Sequence, residues 1–196
     1  VRIYTPKHLK EKTGGLIHVH GGGFVIGSLD SEAATCISLC KELEIVVISV
    51  GYRLAPEHPY PSGLNDCYAA LSWASDLADS LLIDRERLGI YGLSAGGGMC
   101  AALALLSRDR NGPPICFQYL GIPEIDDRLT TPSMRKFSDT PIWNQELSKL
   151  SWKYYLGNDY TPGGDNVPIY AAPARADNLQ GLPRTYVSTM EFDPLR

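Results

Sequence analysis

The sequence predicts an α/β fold in which a doubly wound, mostly parallel sheet is flanked by helices. Three observations predict this fold: strand-like and helix-like segments alternate along the chain, most strand-like segments are continuous apolar runs, and glycines and prolines lie between them. Strands that are apolar throughout are buried on both faces, as in a parallel sheet covered by helices. Such alternation also implies right-handed crossovers between parallel strands.

Six segments are predicted to be strands because short apolar or β-branched runs end at turn residues. The first ends at Thr5-Pro6, the second (GLIHVH) lies between glycines, and the third (EIVVISVGY) has the strongest β-branched character. In chain order the six strands comprise residues 1–4, 15–20, 44–52, 88–93, 115–122 and 184–190.

Four segments are predicted to be helices because their apolar residues recur at helical intervals. They comprise residues 31–43, 65–77, 95–107 and 142–155. We expect Ser28, Asp30 or Ser31 to cap the first helix, since these residue types accept hydrogen bonds from free amides at a helix start. The third helix consists mostly of small and apolar residues, as expected of a buried helix.

Residues 126–176 interrupt this alternation. They contain one predicted helix and many Pro, Gly, Asp and Thr residues, and they are too long for an ordinary connection. We expect an inserted, lid-like segment over the functional site; the alternative is a surface excursion that only packs on the core. The whole chain, residues 1–196, is expected to form one domain, because a chain with 44% hydrophobic residues can build a single core. We expect this domain to be incomplete as a fold.

Composition excludes several classes of function. A net charge of −4 gives no basic surface for nucleic acid. No run of about 18 apolar residues occurs, so no membrane span is expected. The five cysteines contain no CxxC pair, which favours buried free thiols in a reducing compartment and a cytoplasmic protein. Cys36 and Cys40 lie one helical turn apart, but no further ligand clusters with them, and we expect no metal.

The sharpest motif is GLSAGG at residues 92–97, which fits the pattern G-x-S-x-G. It lies between a predicted strand and a predicted helix, the context of a nucleophile elbow. The tight turn would strain Ser94 and expose its hydroxyl, and Gly92 and Gly96 would be required because side chains there would collide with the neighbouring strand and helix. Ser94 is therefore the candidate nucleophile, and the alternative is an ordinary packing turn.

A second motif, HGGGF at residues 20–24, directly follows a predicted strand. Three consecutive glycines are costly to order, which indicates that bare backbone is needed there. The amides of Gly22 and Gly23, with that of Ala95, would form an oxyanion hole. Gly21 supports the motif, and His20 is expected to orient the loop rather than to act as a base. A phosphate-binding loop would need other spacings.

Together these motifs resemble the hormone-sensitive-lipase branch of the α/β-hydrolases. The resemblance covers the whole chain and includes YRLAPEHPYP at residues 52–61, Asp66, Trp73 and EFDPLR at residues 191–196. It implies that Asp193 is the acid of a catalytic triad. Asp193 also follows the last predicted strand, on the side where open α/β sheets place their sites. Leu93 departs from the family, which more often has Asp, Glu or Thr before the nucleophile.

The triad order of this fold is Ser, Asp, His, yet no histidine follows Asp193. All four histidines precede Ser94, and we do not expect any of them to be the base: His8, His18, His20 and His58. We expect a chain truncated at both ends and inactive alone. A natural non-catalytic relative that binds a ligand remains the alternative.

The predicted activity is hydrolysis of carboxylic esters with short to medium acyl chains, through an acyl-enzyme and without a cofactor. The expected partner is a small-molecule ester, and a homodimer is left open. Amide or N-acetyl hydrolysis uses the same groups and also stays open.

Overall fold

A computed structural model describes all 196 residues and contains one sheet of six strands in the order β1-β3-β2-β4-β5-β6. β1 pairs antiparallel with β3, and every other pairing is parallel. The predicted doubly wound, mostly parallel sheet is thereby confirmed. The strands are β1 (Arg2–Tyr4), β2 (Thr13–Val19), β3 (Val46–Val50), β4 (Ile83–Leu93), β5 (Phe117–Gly121) and β6 (Arg184–Ser188).

Helices cover both faces of this sheet. Alternate residues of a strand point to opposite faces: on β2, Leu16 packs in a small cluster with Cys36 and Cys40, whereas Ile17 belongs to the main core with Leu103. The helices are α1 (Ala33–Leu43), α2 (Ser62–Asp76), α3 (Ala95–Asp109), α4 (Pro132–Lys136), α5 (Gln145–Leu156) and a short 3₁₀ helix (Pro173–Arg175). No helix combines the length and hydrophobicity that a membrane crossing needs.

The expected cap of the first helix is wrong. α1 is preceded by Glu32, whose side chain makes no capping hydrogen bond. Ser28 and Ser31 instead bond to each other, with Ser31 Oγ donating to the Ser28 carbonyl at 2.8 Å. These serines close a turn before the helix, and their hydroxyl groups find their hydrogen-bond partners within that turn.

The segment 126–176 packs on the core through α5. This helix begins after Asn144, whose side chain accepts from the Leu147 amide at 3.0 Å. It buries Trp152, Tyr155 and Leu156 in the main cluster. An ion pair links the two ends of the segment, with Arg175 Nε 2.6 Å from Asp127 Oδ1. The predicted helix 142–155 therefore exists with a later start.

The five cysteines are free thiols. Four are buried, in agreement with the expectation from the sequence, and Cys116 is exposed. Cys116 lies just before β5, after Pro113 and Pro114, in a segment outside regular structure. Burial raises the pKa of the Cys67 and Cys100 thiols, which stay protonated and apolar in character.

Candidate active site

Ser94 lies in a sharp turn between the end of β4 and the start of α3. Its backbone has φ 55° and ψ −123°, a region that residues with a side chain rarely adopt. Three backbone hydrogen bonds hold the turn: Ser94 N–H donates to Gly121 O at 2.8 Å, and Ser94 O accepts from Gly98 at 3.0 Å and from Glu124 at 3.1 Å. The side chain is partly exposed and forms no hydrogen bond with the protein. A strained, open serine of this kind fits a nucleophile.

The glycines on either side of Ser94 are sterically required. A Cβ on Gly92 would overlap the backbone of Gly96 in α3. A Cβ on Gly96 would overlap the carbonyl groups of Val19 and His20 at the end of β2. The strand, the turn and the helix approach each other too closely for any side chain, which is the collision that the sequence predicts.

We expect Gly96→Ala to lower the free energy of unfolding by at least about 2–3 kcal/mol, because the new methyl group meets fixed carbonyl oxygens rather than a flexible side chain. Urea unfolding followed by circular dichroism measures this change. Gly14→Ala is the matched control, since the nearest atom to its added carbon lies 3.4 Å away. Equal stability of the two variants would contradict the prediction.

The triple-glycine loop lies directly beside the elbow. A Cβ on Gly21 would lie 3.6 Å from Ser94 Cβ and 3.0 Å from the Leu93 carbonyl. Gly22 has φ 118° and Gly23 has φ 56°, so both need the conformational freedom of glycine. The structure therefore brings Ser94 together with the predicted oxyanion loop.

The carbonyl groups of this loop determine where its amides point. His20 Nδ1 lies 2.8 Å from the Gly21 carbonyl, and the Gly22 carbonyl accepts from Val25 and Ile26, each at 3.0 Å. In a trans peptide the N–H points opposite to the C=O. The amides of Gly22 and Gly23 are thus turned away from these internal partners and donate to no protein group.

The Ala95 amide is the third candidate donor. Ala95 is the first residue of α3, where a helix leaves its amides free and carries partial positive charge. Its N–H also finds no acceptor in the protein. Three unpaired amides and one hydroxyl therefore lie on two adjoining turns, an arrangement suited to binding a developing oxyanion.

His20 is buried beneath the loop and is not free to act as a base. Its ring stacks on Tyr52 with centroids 4.1 Å apart, and Tyr52 Oη donates to the His20 carbonyl at 2.9 Å. Burial lowers the pKa of His20, so the ring is neutral and must carry its proton on Nδ1 to bond Gly21. This geometry supports the loop-orienting role expected from the sequence.

Asp193 follows β6 in a turn at the carboxyl end of the sheet. Its Oδ1 accepts from the Leu195 amide at 2.8 Å, and its carbonyl accepts from Arg196 at 3.2 Å. No hydrogen bond joins Asp193 to Ser94 or to a histidine. Burial raises the pKa of the Glu124 carboxyl, and the charge of Asp193 adds a smaller contribution in the same direction. Its predicted role as triad acid stays a prediction.

Sequence reasoning missed two buried residues beside the site. Glu124 lies three residues after the end of β5 and is 1% exposed, and Ser151 on α5 is 2% exposed. In the sequence, Glu124 reads as part of an acidic surface turn (PEIDD), and Ser151 as one polar residue among many. Ser151 is buried where α5 packs against the glycine loop, because its Oγ donates to the Gly23 carbonyl at 2.9 Å. No group of three or more potential ligand residues could hold a metal ion.

Similarity to known proteins extends over the whole chain. Residues 16–196 match the profile of a family described as an alpha/beta hydrolase fold. Carboxylesterase NlhH of Mycobacterium tuberculosis is 38% identical over 203 residues, covering 100% of this chain and 61% of that protein. Arylesterase of Saccharolobus solfataricus is 36% identical over 201 residues, covering 100% of this chain and 62% of that protein. The chain thus spans about three fifths of these curated relatives.

Solved structures agree in fold. A bacterial heroin esterase superposes with a TM-score of 0.98 at 49% identity, covering 100% of this chain and 62% of that chain. A hyperthermophilic esterase from Pyrobaculum calidifontis gives a TM-score of 0.90 at 35% identity, covering 99% of this chain and 61% of that chain.

Proposed function

Since this chain belongs to the α/β-hydrolase fold family, we propose that the protein is a serine carboxylesterase whose nucleophile is Ser94. The observation that carries the proposal is the position of a strained, partly exposed serine beside three backbone amides that have no partner in the protein. The relatives named above are called carboxylesterase, arylesterase and heroin esterase, which supports esters rather than amides as substrates.

In the proposed reaction, the Ser94 oxygen attacks the ester carbonyl carbon while its proton passes to a general base. The amides of Gly22, Gly23 and Ala95 donate to the tetrahedral oxyanion, which is where negative charge develops. The intermediate collapses to an acyl-enzyme and the alcohol leaves with the proton. Water then attacks the acyl carbon, and the acid product and free Ser94 are released.

The proposal needs a base that residues 1–196 do not place at the site. No histidine of these residues hydrogen-bonds to the Ser94 hydroxyl, and His20 is engaged with Gly21. We assign Asp193 as the group that orients the base and stabilises its charged form. On this proposal, residues 1–196 alone would keep only the modest rate gain of an oxyanion hole.

The finer predictions from the sequence belong to the same proposal. We infer short to medium acyl chains as substrates and a lid-like role for residues 126–176. A single catalytic domain and a cytoplasmic location complete this hypothesis, and a homodimer stays open. α5 of that segment packs against the glycine loop, where Trp143 and Ser151 lie beside Gly23, and this contact supports a covering role.

An organophosphate probe tests the proposed nucleophile. We expect the product of the complete gene to react stoichiometrically with a fluorophosphonate and to carry the adduct on Ser94, as located by peptide mass spectrometry. The same preparation should hydrolyse p-nitrophenyl esters of short acids. Ligand binding without an adduct and without turnover would contradict the proposal and favour a non-catalytic binding protein.

A further inference from the structure

Trp143 lies against the oxyanion loop, and the proposed mechanism does not use it. A Cβ on Gly23 would lie 2.5 Å from Trp143 Cη2 and 3.1 Å from Trp143 Cζ3, so the edge of the indole ring occupies the space where a side chain of Gly23 would stand. Trp143 is partly exposed, whereas Gly23 is buried. The ring is thus one of the groups that separate this glycine from solvent.

A short turn fixes the backbone of Trp143 just before α5. Its N–H donates to the Pro141 carbonyl at 2.8 Å and closes a three-residue turn, and its carbonyl accepts from Thr140 Oγ1 at 2.7 Å. Ile142, at the centre of the turn, has φ 70°, which is strained for a β-branched residue, and is 96% exposed. The strain gains no packing for Ile142, and its structural result is the position of Trp143.

The indole N–H does not explain why a tryptophan stands at this position. Trp143 Nε1 is buried and has no hydrogen-bond partner in the protein. A buried donor without an acceptor is destabilising. What the side chain contributes is therefore the large, rigid and apolar surface of its ring.

The edge of this ring lies within reach of a bound substrate. The Gly23 amide is one of the three proposed oxyanion donors. A hydrogen bond from that amide is about 2.9 Å long and its N–Cα bond is about 1.5 Å, so the oxyanion would lie at most about 8 Å from Trp143 Cη2. The acyl group and the alcohol group both extend from the carbon that carries this oxygen. A group of several carbon atoms that extends past Gly23 therefore meets the indole ring.

We propose, on the basis of the function proposed above, that Trp143 is a specificity-determining residue. Its ring is a fixed apolar wall beside the oxyanion loop, and this wall limits the bulk of one substituent of the ester carbonyl. Esters with a small group on that side are accommodated, and esters with a long group on that side are rejected. The segment 126–176 thereby takes part in substrate selection as well as packing on the core.

Two ester series measured on Trp143→Ala in the product of the complete gene test this proposal. One series lengthens the acyl group, from p-nitrophenyl acetate to p-nitrophenyl octanoate, and the other lengthens the alcohol, from ethyl acetate to octyl acetate. In at least one series, we expect the ratio of kcat/KM for the long ester to that for the short ester to rise by at least about 10-fold, since apolar pockets discriminate single methylene groups by about 10- to 200-fold. The series that responds identifies the substituent that faces the ring.

Ile142→Ala is the matched control, because it shortens the neighbouring apolar side chain, which faces solvent. It should keep the wild-type ratios in both series. Trp143→Phe retains a smaller ring and should shift the ratio in the same direction as Trp143→Ala but by less. Wild-type ratios for Trp143→Ala in both series would overturn the proposal.

Fluorescence gives a second measurement that does not require Trp143→Ala to fold. Dibutyl fluorophosphate places one butyl chain on each side of the phosphorus after it reacts with Ser94, so one chain meets the ring whichever side the ring bounds. We expect the adduct to shift the tryptophan emission of the wild-type protein, which has three tryptophans, and to leave that of Trp143→Phe unshifted. No shift in the wild type, or an equal shift in Trp143→Phe, would overturn the proposal.

Two failures are distinguishable. If the wild-type protein forms no organophosphate adduct on Ser94 and has no turnover, the proposed function fails. If the adduct and turnover are present while the ester ratios of Trp143→Ala match those of Ile142→Ala, only the role of Trp143 fails.

Discussion

Replacing Ser94 by alanine should lower kcat for ester hydrolysis by at least about 10⁴-fold in the product of the complete gene, because no other hydroxyl lies in the strained turn. The three free amides would remain and would still bind an oxyanion, so a small residual rate above that of water is expected. Folding should be preserved, since the Ser94 hydroxyl makes no hydrogen bond within the protein. Initial rates with p-nitrophenyl acetate measure the effect.

Ser107→Ala is the control for this substitution. Ser107 also lies on α3, about 18 Å along the helix from Ala95 at 1.5 Å per residue. Its hydroxyl donates to the Pro113 carbonyl at 2.8 Å, far from the site. Turnover should be retained in this variant. A Ser94→Ala protein with more than a tenth of wild-type kcat would refute the role of Ser94 as nucleophile.

The second large effect concerns Glu124 and the pH dependence of stability. The pKa of Glu124 is raised from an ordinary 4.5 to about 8 by burial. Between these values the folded protein holds a proton that the unfolded chain releases, so stability falls as pH rises. The slope is about 1.4 kcal/mol per pH unit, and the whole loss amounts to about 4–5 kcal/mol by pH 8.

Glu124→Gln removes this titration while keeping the shape of the side chain. The difference in free energy of unfolding between Glu124→Gln and wild type should therefore grow by several kcal/mol from pH 5 to pH 8, in favour of the variant. Urea unfolding at several pH values measures it, and contributions of other groups cancel in the difference. Glu57→Gln, at an exposed position, is the control and should follow the wild-type curve. A pH-independent difference for Glu124→Gln would contradict the assignment.

The sequence predicted best those features that depend on neighbouring residues. The apolar runs gave six strands, and G-x-S-x-G gave a turn whose two glycines admit no side chain. The sequence predicted the ends of strands poorly where pairing across the sheet decides them. β4 begins at Ile83 rather than near Leu88, although residues 84–87 are polar, because Ile83 pairs with Thr13 on β2. Backbone hydrogen bonds to a distant strand override local composition there.

The short helix α4 was missed for a related reason. It has five residues, too few for a periodic pattern, and depends on Thr131, whose hydroxyl accepts from Met134 at 3.2 Å, and on Pro132 in its first turn. Ser133 on this helix then bonds to the carbonyls of Pro194 and Arg196. A cap and a distant contact, rather than hydrophobic spacing, stabilise this helix.

The sequence alone determined the sheet, the elbow and the bare glycine loop, because strand burial and tight turns require particular residue types at fixed spacing. Only the tertiary structure decided that α5 packs on that loop, that Ser151 holds Gly23 and that Glu124 is enclosed without a partner. Those contacts join residues far apart in the chain. The Glu124 carboxyl is buried and the Gly23 carbonyl is fixed only when these separate elements pack together and exclude water between them.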